Sequence, residues 1–234
     1  MRTIKKSVIA ALILSASFGG SALAGGAHDD HAEEEKKGFY VTAALGANQS
    51  TYIDWSETID GTAYNGDIEL DNKIFSYDFG IGYDFGKFRA EAAYSSTPAQ
   101  LNAISANETI AGTAVNASIA ADADITISTF FANLYYDLPE YQLGEKTLVP
   151  YLGAGLGQSN IDIGTITVAG TETGAGDDSA FSYILKLGTT YEMNEKADLY
   201  VEGIYHETSD FSIIGASFDP YKSLGARAGL LFKF

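Results

Sequence analysis

The last stretch of the chain, residues 221–234, constrains the fold more than any other. It reads YKSLGARAGLLFKF, and apolar residues fill alternate positions, with Leu231 the one exception on the polar side. The alternating apolar residues are Leu224, Ala226, Ala228, Leu230, Phe232 and Phe234. A period of two predicts a β-strand with one apolar face. A tilted strand of about 9–11 residues crosses a bilayer if the sheet that it joins is closed.

Seven earlier stretches repeat this pattern. In residues 75–85 every odd residue is apolar or aromatic, and every even residue is Ser, Asp or Gly. The other six are residues 39–47, 88–94, 130–138, 149–157, 181–192 and 198–206. A lipid-facing exterior around a narrow polar interior accounts for such strands. We therefore expect an all-β fold, an eight-stranded antiparallel up-and-down transmembrane β-barrel with a lumen filled by side chains.

One segment disagrees in phase. Ile125 and Ile127 have the opposite parity from Phe130, which begins the outward face of its strand. A β-bulge near Thr129, or a strand that begins later, is the predicted explanation.

The connections between these strands alternate in length. Those near Gly86 and at residues 139–147 and 193–197 are shorter and are expected on the periplasmic side, which also places both termini in the periplasm. Residues 49–72, 96–124, 158–179 and 207–220 are longer and are expected to be surface loops without Lys or Arg. The first of them carries a candidate interaction site, formed by Asp54, Trp55, Glu57 and Asp60. The alternative is that these acidic loops are simply solvated.

Charged residues at inward positions predict a paired network in the lumen. They are Arg89, Glu91, Lys186, Glu192, Glu202 and Arg227. Glu202 and Arg227 belong to consecutive strands, so we expect them to be cross-strand neighbours at the centre of the network. The alternative is that some of these residues lie at the barrel ends and are hydrated.

The first 37 residues lack the alternating pattern of the predicted strands. Residues 1–24 combine Arg2, Lys5 and Lys6 with a short apolar run and small residues, which predicts a secretory signal peptide. Residues 25–37 are predicted to be a flexible periplasmic tail, in which His28, Asp29, Asp30 and His31 have no scaffold to fix a metal site. Residues 38–234 form the predicted barrel.

The charge and composition exclude some partners. The formal net charge is −17, and loss of residues 1–24, which contain three basic and no acidic residues, makes it about −20. A nucleic-acid partner is therefore not expected. We expect no cofactor and no metal, and the chain contains no Cys that could form a disulfide.

The chain resembles the OmpA-like and opacity-type family of small bacterial outer-membrane barrels. The resemblance rests on the strand order, on ANLYYDLP at residues 132–139, on PYLGAGLG at residues 150–157 and on the terminal Phe234. It implies an integral outer-membrane protein, expected to be monomeric, whose partners are the membrane lipid and, during biogenesis, the barrel-assembly machinery. In this family the final aromatic residue is an assembly signal.

The resemblance identifies a fold more sharply than an activity. The leading hypothesis is a non-enzymatic structural or surface-interaction protein, with a possible extracellular ligand bound through the loops. An adhesin for a host or abiotic surface is the alternative. A lipid-modifying enzyme is the third reading, since His206, Glu207, Ser209 and Asp210 cluster at one strand end. An open pore is disfavoured because eight strands leave room only for side chains, and a soluble lipocalin-like barrel is disfavoured by the outward aromatic residues.

Deletion of Phe234 is expected to impair membrane insertion far more than deletion of any one long connection, because it removes the residue to which the resemblance assigns targeting. The measurement is the amount of folded, heat-modifiable protein in the outer membrane. Equal amounts with and without Phe234 would contradict the assignment.

Overall fold

The computed structural model describes residues 37–50, 53–59, 62–70, 74–110, 113–144, 146–168, 170–213 and 215–234. The predicted signal peptide and residues 25–36 of the predicted tail lie outside this set. The described strands are β1 (Gly38–Ser50), β2 (Ile53–Ile59), β3 (Thr62–Leu70), β4 (Ile74–Asp84), β5 (Phe88–Ile110), β6 (Thr113–Asp137), β7 (Tyr141–Leu143), β8 (Lys146–Val168), β9 (Thr171–Asn194), β10 (Ala197–Thr208), β11 (Phe211–Ile213), β12 (Ala216–Phe218) and β13 (Lys222–Lys233). In this part of the chain we find no helix with the length and apolar character needed to span a membrane.

Eight strands form a closed antiparallel ring in the order β1, β4, β5, β6, β8, β9, β10 and β13. The ring closes where β13 pairs with β1, from Tyr40 opposite Lys233 to Ser50 opposite Ser223. The predicted eight-stranded barrel is confirmed. Closure matters because each backbone N–H or C=O group left unpaired in lipid raises the free energy of the folded protein by several kcal/mol.

The half of the barrel that contains the two ends of the described chain, Lys37 and Phe234, has the predicted apolar exterior. We call this half the membrane tier. Aromatic side chains form a belt at each of its edges, with Phe39 against Tyr83 and Phe88 against Tyr136 at one edge. At the other edge Tyr94 packs on Phe130, with ring centroids 5.0 Å apart. Such paired belts mark the two interfaces of a transmembrane barrel.

The barrel continues well past the second aromatic belt. Strands β5, β6, β8 and β9 contain 23, 25, 23 and 24 residues, roughly twice what a bilayer requires. They are joined there by β2, β3, β11 and β12. The prediction that the four long connections are loops is therefore wrong, because most of their residues extend the barrel wall. We call this extension the upper tier.

The interior changes character between the tiers. In the upper tier the inward side chains form an apolar core of Ile, Leu, Ala and aromatic residues, including Leu101, Ile125, Ile163, Phe211 and Phe218. Many of its outward positions are polar, for instance Asp124 and Asp162, both exposed, although Ile119 is exposed as well. Water surrounds a protein wall of this kind, so the apolar residues turn inward.

This reversal explains the conflicting phase of Ile125 and Ile127. Both point inward together with Thr129 and are nearly inaccessible to solvent. The pairing of β6 with β5 and with β8 runs without a shift through Thr129, so the predicted bulge there is wrong. The register shifts lie higher, at Leu101 on β5 and between Asp122 and Ile125 on β6. The apolar residues change faces because the surroundings change from lipid to water, while the strand itself stays regular.

Candidate functional site

The membrane tier is filled by a charged network centred on Arg227. Its register partner is Glu202, directly opposite on β10, with Nη1 4.0 Å from Oε1. The closer carboxylate is that of Asp78 on β4, at 2.9 Å, and Arg227 also donates a hydrogen bond to Ser95 at 3.2 Å. Arg227 and Glu202 are both about 95% buried. The contacts of the guanidinium with two carboxylates and a hydroxyl offset the free-energy cost of removing its charge from water.

Gly46 on β1 allows Arg227 to reach Asp78. Strand β1 lies between β13 and β4, so the contact must cross it. A Cβ at Gly46 would lie 2.7 Å from Cγ of Arg227 and 2.6 Å from Oγ of Ser76. Any larger residue at this position would therefore push the arginine away from its partner.

A second arginine, Arg89, forms the lower part of the network. It makes a two-pronged contact with Asp137, with Nη2 to Oδ1 at 2.7 Å and Nε to Oδ2 at 2.9 Å. Its guanidinium also lies over the rings of Tyr135 and Tyr151, 4.9 and 4.8 Å from their centroids. The bidentate fork and the stacking both need the planar guanidinium that Arg has and Lys lacks.

Glu91 and Lys186 connect the two arginines through hydroxyl groups. Glu91 accepts hydrogen bonds from Asn133 at 3.0 Å and from the Tyr135 hydroxyl at 2.7 Å. Lys186 donates to the same tyrosine oxygen at 2.7 Å and lies 3.6 Å from Glu202. Each of these buried charges therefore has a partner, as the low dielectric of a closed lumen requires.

One predicted member, Glu192, lies outside this network. Its side chain is 48% exposed, and its nearest cation is Lys233 at 3.9 Å. The physical reason is its position close to the end of β9, where the lumen opens to solvent. Strand alternation also gives Asp78 and Asp137 inward positions, but it cannot reveal that they pair with the two arginines, because parity gives a direction and no partner.

Hydroxyl groups separate the charged network from the apolar core. Ser159 makes hydrogen bonds of 2.6 Å with both Thr129 and Ser182. Above them the apolar core encloses a void of about 10 Å³, close to the smallest space that can hold one water molecule. The lumen is therefore occupied by side chains from the charged layer to the apolar core.

The four residues of the enzyme hypothesis do not assemble into a catalytic set. His206 points inward and packs edge-on against Phe131, with ring centroids 5.3 Å apart. Glu207 has the opposite parity and accepts hydrogen bonds from the outward Tyr183 and Tyr205. Ser209 and Asp210 are exposed, and the Ser209 hydroxyl donates to the Asp210 carbonyl oxygen. A histidine inside the wall cannot act as a base for a group outside it.

Three of the four predicted surface residues, Asp54, Trp55 and Glu57, lie on the upper tier. Asp54 is exposed on β2, whereas Trp55 packs partly buried against the apolar core and donates from Nε1 to the Ser105 carbonyl at 3.1 Å. Glu57 is half-buried, and Asp60 lies outside the described residues. Trp55 therefore anchors β2 to β5, and its ring contributes little to the outer surface.

The upper tier is acidic throughout its described residues, with no Lys or Arg between Ile53 and Leu70, 97 and 127, 158 and 181, or 208 and 221. Its described carboxylates are Asp54, Glu57, Asp67, Glu69, Asp122, Asp124, Asp162, Glu172, Asp177, Asp178, Asp210 and Asp219. In the described part of the chain no three His, Cys, Asp or Glu residues form a group that could hold a metal ion. The tier is thus a negatively charged surface on a rigid wall.

Phe234 lies at the lower rim of the membrane tier. Its backbone N–H donates to the Phe39 carbonyl at 3.0 Å, and the residue is 83% exposed. The ring is accessible at the end of the closing strand, and its role in assembly stays a prediction.

Comparisons with known proteins agree on the fold. A family model described as outer membrane protein beta-barrel domain matches residues 10–234. OprG from Pseudomonas aeruginosa has 16% sequence identity and a TM-score of 0.54, covering 84% of this chain and 96% of that one. Neisserial surface protein A has 17% sequence identity and a TM-score of 0.52, and the match covers 86% of this chain and 100% of that one. The outer membrane protease OmpT from Escherichia coli has 10% sequence identity and a TM-score of 0.50, and the match covers 84% of this chain and 97% of that one. No curated protein sequence matches the chain.

Substitution of Arg227 by Met is expected to lower the free energy of unfolding by about 3–5 kcal/mol, because it removes the cation paired with the buried Asp78 carboxylate and leaves Glu202 with Lys186 alone. The matched control is Lys222→Met, since Lys222 is half exposed and 3.9 Å from Glu207; it should cost less than about 1 kcal/mol. Urea unfolding in liposomes measures both. Equal losses in the two variants would show that the network does not support the barrel.

Proposed function

The chain belongs to the outer membrane protein β-barrel domain family, and we propose that it is a non-enzymatic membrane platform whose upper tier binds positively charged partners outside the cell. The observation that carries this proposal is the rigid upper wall with many carboxylates and no described cation. A single-sign surface attracts partners of the opposite charge and speeds their encounter. Location in the outer membrane follows from the family; the partner and the mode of action are the proposal.

The extracellular position of the upper tier is part of the proposal. Short connections such as 85–87 and 195–196 join the strands at the lower end, and short turns are the rule on the periplasmic side of outer-membrane barrels. Both termini would then lie in the periplasm. Adhesion to a basic surface would be the same interaction at the scale of a whole cell.

The interior of the barrel favours a role that involves neither catalysis nor the passage of solutes. A protease is among the similar structures, so the fold itself is compatible with catalysis. In this chain, however, His206 and Glu207 face opposite sides of the wall, and the lumen above the charged network is closed by apolar side chains. These features support a structural platform over an enzyme or a pore.

Neutralising exposed carboxylates of the upper tier is expected to weaken binding of a cationic peptide. We would compare the wild type in nanodiscs with the triple variant Asp54→Asn, Asp124→Asn and Asp162→Asn, using a labelled lysine-rich peptide at low and high salt. The affinity should fall about threefold to tenfold, and the salt dependence should become weaker, because exposed charges contribute little individually.

The control for this experiment is the double variant Glu140→Gln and Glu195→Gln, which removes exposed charge from the lower end and should bind as the wild type does. Intact cells that carry the wild type should retain more peptide than cells that carry the triple variant, which also tests the extracellular position. Equal binding by the wild type and the triple variant would overturn the proposed function.

A further inference from the structure

The lipid-facing wall of the membrane tier contains a shallow apolar groove. Neighbouring outward residues on five adjacent strands form a row whose middle members are the smallest: Leu187, Gly203, Ala226, Ala47 and Phe75. Leu187 and Phe75, at the two ends of the row, are 61% and 70% exposed, and Val201 and Leu45 border the lower side. The small residues therefore form the floor of a groove of about 860 Å³.

The described barrel leaves this groove open. A Cβ placed on Gly203 would have the carbonyl oxygens of Leu187 and Gly225 as its nearest neighbours, at 3.9 and 4.0 Å. Gly46 is different, because a Cβ there would lie 2.7 Å from the Arg227 side chain. Gly203 is thus not required by a close approach within the protein, and the space above it is available to a molecule outside the wall.

A polar cluster lies above the groove on the same strands. Tyr205 and Glu207 follow Gly203 on the outward face of β10. Glu207 accepts hydrogen bonds from the hydroxyl groups of Tyr183 and Tyr205, whose ring centroids are 6.1 Å apart. Lys222 is opposite Glu207 in register, with Nζ 3.9 Å from Oε1. Tyrosine and lysine side chains of this kind are typical of the level at which a membrane meets water.

Lys222 has a charge that is rare on this part of the surface. Among the described residues it is the one Lys or Arg that points outward above the lower end of the barrel. Its side chain is 51% exposed, and its ion-pair partner lies beyond hydrogen-bonding distance, so its N–H donors are free to bind an anion. The carboxylates of the upper tier repel a free anion that arrives from water. An anionic lipid headgroup instead reaches Lys222 along the plane of the membrane.

The groove lies at the right depth for the acyl chain of such a lipid. Ala226 lies four residues below Lys222 on β13, which is about 13 Å along the strand and about 10 Å in depth at a tilt of about 40°. One leaflet contributes about 15 Å of hydrocarbon. A lipid whose headgroup lies at Lys222 therefore has its chain beside Gly203 and Ala226.

We propose that Lys222 and the groove form a binding site for one phosphorylated lipid of the leaflet beside the upper tier. The phosphate binds the Lys222 ammonium group, and an acyl chain fills the groove over Gly203, where it gains contacts that a flat wall does not offer. In the proposed orientation this is the outer leaflet. The site is separate from the acidic surface that binds cationic partners, and its ligand has the opposite charge.

The test separates the contribution of the chain from that of the phosphate. The full chain in a non-ionic detergent is titrated with dimyristoyl phosphatidic acid or with dimyristoyl glycerol, which has the same chains without the phosphate, and bound lipid is measured by native mass spectrometry. Gly203→Leu fills the groove and should weaken binding of both lipids about tenfold. Lys222→Gln should weaken binding of phosphatidic acid about fivefold and leave binding of the glycerol lipid unchanged.

The matched control is Ala154→Leu, which adds the same bulk to an exposed position of β8 outside the groove and should bind both lipids as the wild type does. Equal affinities of Gly203→Leu and Ala154→Leu would overturn the groove as the chain site. Equal affinities of the wild type for the two lipids would overturn the phosphate contact, and this comparison needs no substitution. A dimer of the wild type that Gly203→Leu abolishes and Ala154→Leu preserves would assign the groove to a second copy of the chain and would contradict the lipid assignment.

Discussion

The pairing of β1 with β13 is the interaction on which the rest of the structure depends. It converts a row of strands into a ring, and only a closed ring leaves no backbone edge facing lipid. Closure also fixes a narrow interior, because eight strands enclose a space that side chains can fill. The charged network, the hydroxyl layer and the apolar core are three ways of filling that space at different heights.

The type of side chain inside the barrel at each height depends on whether lipid or water surrounds the wall at that height. Where lipid covers the exterior, apolar residues turn outward and the polar residues left inside must satisfy one another, as Arg227 does with Asp78 and Arg89 does with Asp137. Where water covers the exterior, the same strands turn Ile125 and Ile127 inward. Strands β5, β6, β8 and β9 can therefore continue beyond the membrane as uninterrupted strands. The resulting acidic wall is rigid because it has a core of its own.

Alternation along the strands was enough to predict the ring, since each membrane-facing stretch has an unmistakable period of two. Alternation does not indicate where the lipid ends, and so the sequence predicts loops for the apolar upper segments and a bulge or a later strand start near Thr129, whereas β6 runs through this point without a shift. Pairing inside the lumen was predictable only for sequential strands, such as Glu202 opposite Arg227. The contact of Arg227 with Asp78 crosses β1 at Gly46, and it depends on closure, shear and a missing side chain that no local pattern reveals.

The central claim is that the paired strands β5, β6, β8 and β9 continue from the membrane tier into the upper tier. Hydrogen exchange followed by mass spectrometry, on the full chain in nanodiscs, tests it most directly. We predict that backbone amides of β5 and β6 between residues 97 and 106 and between 117 and 127 exchange nearly as slowly as those of residues 88–94 and 130–136, because both sets are hydrogen-bonded in paired strands around a packed interior. Complete exchange of the upper segments within seconds, with the lower segments protected, would show that the upper tier is a set of loops and would contradict this account.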